Sequence, residues 1–173
     1  MVSVLIADNQ PLIRTGFLLQ LDGVEGIEVV GEAVDGADAV RQTARLQPDV
    51  VLMDVWMPLL DGIKATKRIT ATASSRVLIL TTFDLDEYAF AGLRAGASGF
   101  LLKDVRPQQL YDAIHTVASG DAVLSPRITR DLVDRFASST EQATAPDAND
   151  ALRDPMTMTS SRGARRTQSV LPC

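Results

Sequence analysis

The chain has one cysteine and one histidine in 173 residues. Cys173 alone can form neither an internal disulfide framework nor a cysteine zinc site. His115 alone excludes a multi-histidine metal centre or a Cys/His dyad within the fold. No run approaches the roughly 18 apolar residues that a membrane span needs. The apolar opening, residues 1–7, has no basic stretch before it and no room for a signal-peptide core, so no secretory leader is read. Basic residues are in the minority, 17 against 22 acids for a net charge of −5, which argues against nucleic-acid binding by the chain as a whole. What remains, 46% hydrophobic and 23% charged, is the composition of an average globular protein. The length suits one domain with an appendage, or two very small domains.

That average hides a break. Residues 1–120 hold 15 acids and 10 bases, whereas residues 121–173 hold seven of each. Within the latter, residues 152–173 carry Arg153, Arg162, Arg165 and Arg166 against Asp154 alone. The first 120 residues alternate short Val/Ile/Leu runs with longer amphipathic ones. The short runs, Val2–Ala7, Ile27–Val34, Val50–Met53, Val77–Leu80 and Gly99–Leu102, read as strands buried on both faces. Helical stripes lie between them: Ile13, Phe17 and Leu21; Ala37, Val40 and Ala44; Ile63, Ala65 and Ile69; Tyr88, Ala91 and Leu93; Leu110, Ile114 and Val117. Five strand–helix alternations predict an α/β fold with a doubly wound five-stranded parallel sheet, and the flavodoxin-like order 2-1-3-4-5 is the common solution. After Gly120, Ser125 as cap with Pro126 at the first helical position starts a further helix, with Ile128, Leu132, Val133 and Phe136 as its stripe to about Ala137. Residues 138–151 are linker in composition, and residues 152–173 have no sustained period and are expected to be disordered.

In an open parallel sheet, chemistry belongs at the carboxyl ends of the strands, at the switch point beside the first. That edge collects Asp8 and Asn9 after the first strand, Asp54 after the third, Thr81 at the end of the fourth and Lys103 after the fifth. An acid pair from neighbouring strands can share one Mg²⁺, a hard cation that takes few protein ligands and keeps its waters. A lysine and a hydroxyl opposite suit an anion, such as a phosphoryl group on one of the carboxylates.

The residues 5–14 (LIADNQPLIR), 50–65 (VVLMDVWMPLLDGIKA), 78–84 (LILTTFD) and 96–104 (GASGFLLKD) together resemble the receiver domain of bacterial two-component response regulators, over residues 1–120. Four motifs in the right order and spacing carry that resemblance. It implies a CheY-like sheet with Asp54 as phosphoacceptor. Asp8, Asn9, Asp54 and the backbone carbonyl of Trp56 would be the Mg²⁺ ligands. Lys103 would be the phosphoryl-binding lysine, and Thr81 and Phe100 the switch pair: Thr81 moves inward and Phe100 turns into the space it leaves. Trp56 and Phe83, two residues after Asp54 and Thr81, would flank the site mouth and slow hydrolysis. It implies a sensor histidine kinase as partner, homodimerisation on phosphorylation, a cytoplasmic protein, and a phosphoacceptor with slow autodephosphorylation rather than an enzyme. The wording TTFDLDEY, with Lys103 followed by Asp104, resembles the NarL/FixJ group, whose members carry a LuxR-type helix-turn-helix.

Two positions depart from the pattern or narrow it. Asn9 stands where an aspartate is usual, which removes one negative charge and predicts weaker Mg²⁺ affinity. Asp104 stands where many receivers have proline. Residues 1–120 are read as the receiver, 121–138 as a linker helix and 139–173 as linker and tail. No run after Asp154 holds two helices and a turn, so DNA would be reached only through a helix-turn-helix that this chain lacks, and the chain reads as a truncated or frame-shifted two-domain regulator. A haloacid-dehalogenase phosphatase needs an acid at position 56, where Trp56 stands. A flavodoxin-like cofactor binder needs a phosphate loop where Asp8-Asn9-Gln10-Pro11 stands. The remaining alternative is a phosphate-independent pseudo-receiver acting as an interaction module. Gly62 is read as a positive-φ turn residue, Pro58 as shaping its loop, His115 as a surface or interface histidine, and Arg162–Arg166 as solvated charge.

Overall fold

The computed structural model describes residues 1–82 and 86–143. Five strands, β1 (Val2–Ala7), β2 (Ile27–Ala33), β3 (Val50–Asp54), β4 (Arg76–Thr81) and β5 (Gly99–Leu102), form one sheet of order β2-β1-β3-β4-β5. All its pairings are parallel. Helices α1 (Pro11–Leu21), α2 (Gly36–Leu46), α3 (Gly62–Thr72), α4 (Asp86–Arg94) and α5 (Pro107–Ala118) make the crossovers, and α6 (Pro126–Ala143) follows. Architecture and strand order are those the sequence pattern predicts.

The two-residue period of each strand divides the core. Leu5, Ala7, Val51, Met53 and Ile79 pack on the face that includes Ala39 of α2, Ala65 and Ile69 of α3 and Ala89 of α4. Val4, Ile6, Leu52, Leu78 and Leu80 pack on the other, with Phe17 and Leu21 of α1 and Leu110, Ile114 and Val117 of α5. Side chains buried on both sides explain why these runs are apolar throughout rather than alternating.

Caps set the helix starts. Asp35 accepts the Asp38 N–H at 2.7 Å to open α2, and Asp61 accepts the N–H groups of Ile63 and Lys64, both at 2.9 Å, to open α3. Two helical stripes are rotated from expectation. In α2 the buried residues are Gly36, Ala39 and Thr43, with Ala44 exposed. In α4 Ala89 and Phe90 are buried, with Tyr88 half-buried. Alanine marks a stripe weakly, because it is nearly as often at a helix surface as in a core.

The chain divides into two compact units, Met1–Leu132 and the part beginning at Val133. In the first, the segment before α6 covers the outer edge of the sheet. The Phe100 N–H donates to the Val123 carbonyl at 2.9 Å and the Val123 N–H to that of Ser98 at 3.1 Å, a parallel bridge between Gly99 and Val123. Residues 121–124 are therefore an edge cover and not the start of the helix. Ser125 caps α6, accepting the Ile128 N–H at 3.2 Å, and buried Ile128 joins the cluster that holds Phe100. The helix runs to Ala143, past the expected end at 138. In the second unit Val133 and Phe136 are exposed. Residues 144–173, most of the expected tail with its arginines, lie outside the described residues.

Candidate functional site

Parallel register brings the strand ends together. Ala7 pairs with Met53, Asp54 with Leu80 and Thr81 with Leu102, so Asp8, Asp54, Thr81 and Lys103 meet on one edge. Asp8 is held from several sides. Its N–H donates to the Ala33 carbonyl at 3.1 Å, its Oδ1 accepts the Gln10 N–H at 2.9 Å, and its carbonyl accepts from Arg14 Nη1 at 2.7 Å. Arg14 in turn pairs through Nε with Glu32 Oε1 at 3.3 Å. The local Asp8–Gln10 bond is an Asx turn, the ordinary way an aspartate folds a strand end back into a helix.

Lys103 joins the two acids. Its Nζ lies 2.6 Å from Asp8 Oδ2 and 3.0 Å from Asp54 Oδ1, while its N–H donates to the Thr81 carbonyl at 2.7 Å. The side chains of Asp8, Asp54 and Lys103 are only 3%, 6% and 12% exposed. Two carboxylates and one ammonium leave a net charge of −1 in a nearly dry place. Burial accordingly pushes the Asp54 carboxyl above its ordinary range, the Asp8 charge adding to the rise. The Lys103 ammonium and a hydrogen bond from the Trp56 N–H pull it back, without cancelling the rise.

Thr81 is fully buried, and its Oγ1 is one of two buried side-chain polar atoms without a partner among the described residues; the other is Thr43 Oγ1. An unmet hydroxyl inside a protein costs free energy. At the end of β4, next to Asp54, it is a donor for which an incoming anion would be the partner. The four groups fit a small dianion with a divalent cation: acids for the metal, and an ammonium and a hydroxyl for the anion. Among the described residues no three His, Cys, Asp or Glu side chains cluster as a metal site. Asp8, Asp54 and the amide of Asn9 are the oxygen donors that could hold a cation there together with water, a set that suits Mg²⁺ better than a metal that needs a full protein cage.

The other anticipated residues divide. Asn9 is exposed beside Asp8. Phe100 is 1% exposed, packed in the cluster of Ile79, Ala89 and Ile128. Trp56 is 55% exposed, and its ring meets Tyr88 edge to face, with centroids 5.0 Å apart and planes at 68°. Phe83 lies outside the described residues. His115 is exposed.

Gly62 corrects an expectation. It is absent from the positive-φ residues, whereas Leu59 (φ 69°) is among them. Gly62 is needed for want of a Cβ: its N–H donates to the Val55 carbonyl at 2.9 Å, and a Cβ would run into the Asp54 carbonyl. The start of α3 is thus seated directly on the backbone of the central acid. Arg14 and Tyr88 were missed. Arg14 had a weak signal, a cation one turn into a helix that follows an acidic strand end. Tyr88 had none beyond a place in a helical stripe.

The model of the response regulator receiver domain matches residues 4–115. The uncharacterized transcriptional regulatory protein YxjL of Bacillus subtilis (strain 168) is 47% identical over 123 residues, 70% of this chain and 56% of that protein. The oxygen regulatory protein NreC of Staphylococcus carnosus (strain TM300) is 39% identical over 163 residues, 93% of this chain and 73% of that protein. The chain thus spans between about half and three quarters of the length of these relatives. The signal receiver domain of NarL from Mycobacterium tuberculosis superposes with a TM-score of 0.66 at 35% identity, over 69% of this chain and 97% of that one. A LuxR-family two-component response regulator from Aurantimonas sp. SI85-9A1 gives 0.72 at 30% identity, over 79% and 99%.

Proposed function

The chain belongs to the response regulator receiver family, in its NarL-type branch, and from that membership we propose that Asp54 is the residue through which it receives its signal. One observation carries the proposal: Lys103 Nζ sits between Asp8 and Asp54, at 2.6 and 3.0 Å, at the sheet edge where β4 ends in the buried, unpartnered hydroxyl of Thr81. Receivers of this branch imply a histidine kinase as donor. A carboxylate oxygen of Asp54 attacks the phosphorus of the kinase phosphohistidine. The new P–O bond forms as the P–N bond breaks, and the leaving imidazole takes up a proton. Lys103 then has a dianion in reach in place of a single carboxylate, and Thr81 Oγ1 gains the acceptor it lacks.

Mg²⁺, held by Asp8, Asn9, Asp54 and the Trp56 carbonyl, would supply positive charge against the transferring oxygens. The chain's own groups position Asp54, hold the product anion and exclude water. The receiver is residues 1–120, with 121–138 and the rest of α6 as a linker. It acts as a signal transducer and not as an enzyme in its own right. The phosphoryl charge shifts the Thr81–Phe100 pair between two packings and favours dimerisation. The name of YxjL, a transcriptional regulatory protein, supports a transcriptional output.

Incubation with Mg²⁺ and acetyl phosphate followed by intact-mass measurement tests this. One added phosphoryl group, lost in Asp54→Ala, is expected. No gain with acetyl phosphate or with a histidine kinase would instead favour the phosphate-independent pseudo-receiver, for which the missing charge at Asn9 is the sequence argument.

A further inference from the structure

The loop after Asp54 and the helix after β4 are joined by a contact that phosphoryl transfer itself does not use. Trp56 follows Asp54 by two residues, in the loop that leaves β3 at the site. The residue is more than half exposed. An exposed indole on a loop would ordinarily sample several rotamers. Here it meets the ring of Tyr88 edge to face at 5.0 Å, a geometry that aromatic quadrupoles favour.

Tyr88 can act as a fixed point. It lies in the first turn of α4 (Asp86–Arg94), and its half-buried ring packs against the core cluster that contains its neighbour Ala89. Topology gives the direction. β4 lies beside β3, so a ring reaching from the loop after β3 to the helix after β4 spans the carboxyl ends of both strands, where Asp54 and Thr81 sit.

We propose that Tyr88 is a positioning residue that holds the Trp56 indole across the mouth of the site, where it restricts the approach of water and so sets the lifetime of phosphorylated Asp54. The proposal rests on the phosphoacceptor reading above. In hydrolysis, water attacks phosphorus, the bond between phosphorus and the Asp54 oxygen breaks, and Asp54 carboxylate and inorganic phosphate are released. An indole held in place obstructs the attacking water opposite that oxygen, and a freed indole does so only part of the time. Trp56 is the sole tryptophan, so indole fluorescence reports the surroundings of this one ring.

The test uses the full chain, phosphorylated with acetyl phosphate and Mg²⁺, freed of donor, and followed by intact mass. If the ring contact carries the restraint, Tyr88→Ala shortens the half-life roughly two- to tenfold, the rate equivalent of one aromatic pair. Tyr88→Phe keeps the ring and stays within about twofold of wild type. Tyr88→Leu, which keeps the core filled, behaves as Tyr88→Ala. Trp56→Ala is at least as fast as Tyr88→Ala, and adding Tyr88→Ala to it accelerates nothing further, an outcome that a general loosening of α4 would not produce. Indole quenching by acrylamide rises in Tyr88→Ala and Tyr88→Leu and not in Tyr88→Phe. Phosphorylation that proceeds normally with an unchanged half-life in Tyr88→Ala and Tyr88→Leu overturns the positioning role and leaves the phosphoacceptor reading intact. So does additive acceleration in the double variant. Absence of any phosphoryl gain in the wild type overturns both.

Discussion

Replacing Asp54 by asparagine should make the unphosphorylated protein more stable at neutral pH, although it removes an ion pair. Asp8, Asp54 and Lys103 form a buried cluster with one cation for two anions, and burial outweighs the Lys103 attraction in raising the Asp54 pKa. Asparagine leaves the 2.6 Å Lys103–Asp8 pair alone, charge-balanced, with an amide in place of the second anion. The gain should be about 1–2 kcal/mol, the scale on which incompletely compensated buried polar groups cost stability. Its pH dependence fixes the cause. Below the ordinary value of 3.8, Asp54 is protonated in both folded and unfolded chains and costs nothing. As pH rises through that value the unfolded chain ionises first, which favours unfolding. The penalty grows until the folded carboxyl has ionised too and then levels off. Asparagine does not titrate, so its advantage should be near zero at about pH 4, grow with pH and plateau. Urea denaturation of both proteins with a chelator present, at several values between about pH 4 and pH 8, measures it. Millimolar Mg²⁺ should narrow the gap, because the cation stabilises the wild type more. A variant no more stable than wild type at neutral pH, or a gain that is flat with pH, would refute the reasoning.

Three further substitutions probe the same construction. Lys103→Met leaves two buried carboxylates facing each other and should cost about 3–5 kcal/mol at neutral pH, less in acid; a loss independent of pH in denaturant titrations would show that the lysine acts through packing alone. Gly62→Ala places a Cβ against the Asp54 carbonyl and should destabilise by more than about 2 kcal/mol while lowering phosphorylation by acetyl phosphate; a neutral result on either readout would mean that the seat of α3 is looser than drawn. At Gly99 a Cβ would stand 2.7 Å from Leu78 Cδ1 and 3.0 Å from the Val123 carbonyl, so Gly99→Ala should release the edge cover, seen as faster hydrogen exchange of the Phe100 amide, and unchanged protection there would place the bridge elsewhere.

Different physical signals carried different parts of the molecule. The strands were legible because burial on both faces forces continuous Val/Ile/Leu runs, and a run such as Val50–Met53 has few other uses. Their order followed from handedness and the scarcity of alternatives, and the position of Asp8, Asp54, Thr81 and Lys103 followed from the order. Helix faces were less legible where alanines mark them. Ala37, Val40 and Ala44 fit a stripe as well as Gly36, Ala39 and Thr43 do, and only packing against the sheet selects the second set.

The site was legible as a set of residues and illegible as a set of contacts, for a reason that the glycines and aromatics make plain. Spacing along the chain shows that Asp54 ends a strand, but not that the first residue of α3 must lie against its carbonyl. Gly62 looked like a residue chosen for backbone freedom, whereas it is required by a distance between two atoms eight residues apart in sequence. Tyr88 and Trp56 stand 32 residues apart and belong to different periodic patterns, so no local rule relates them; they meet because β3 and β4 are neighbours and the segments that follow them leave at the same edge. The covering of β5 by Val123 is of the same kind, since backbone hydrogen bonds at a sheet edge leave no mark on side-chain composition. Residues that chemistry demands can therefore be read from their types, while residues that hold the chemistry in place have to be read from the fold.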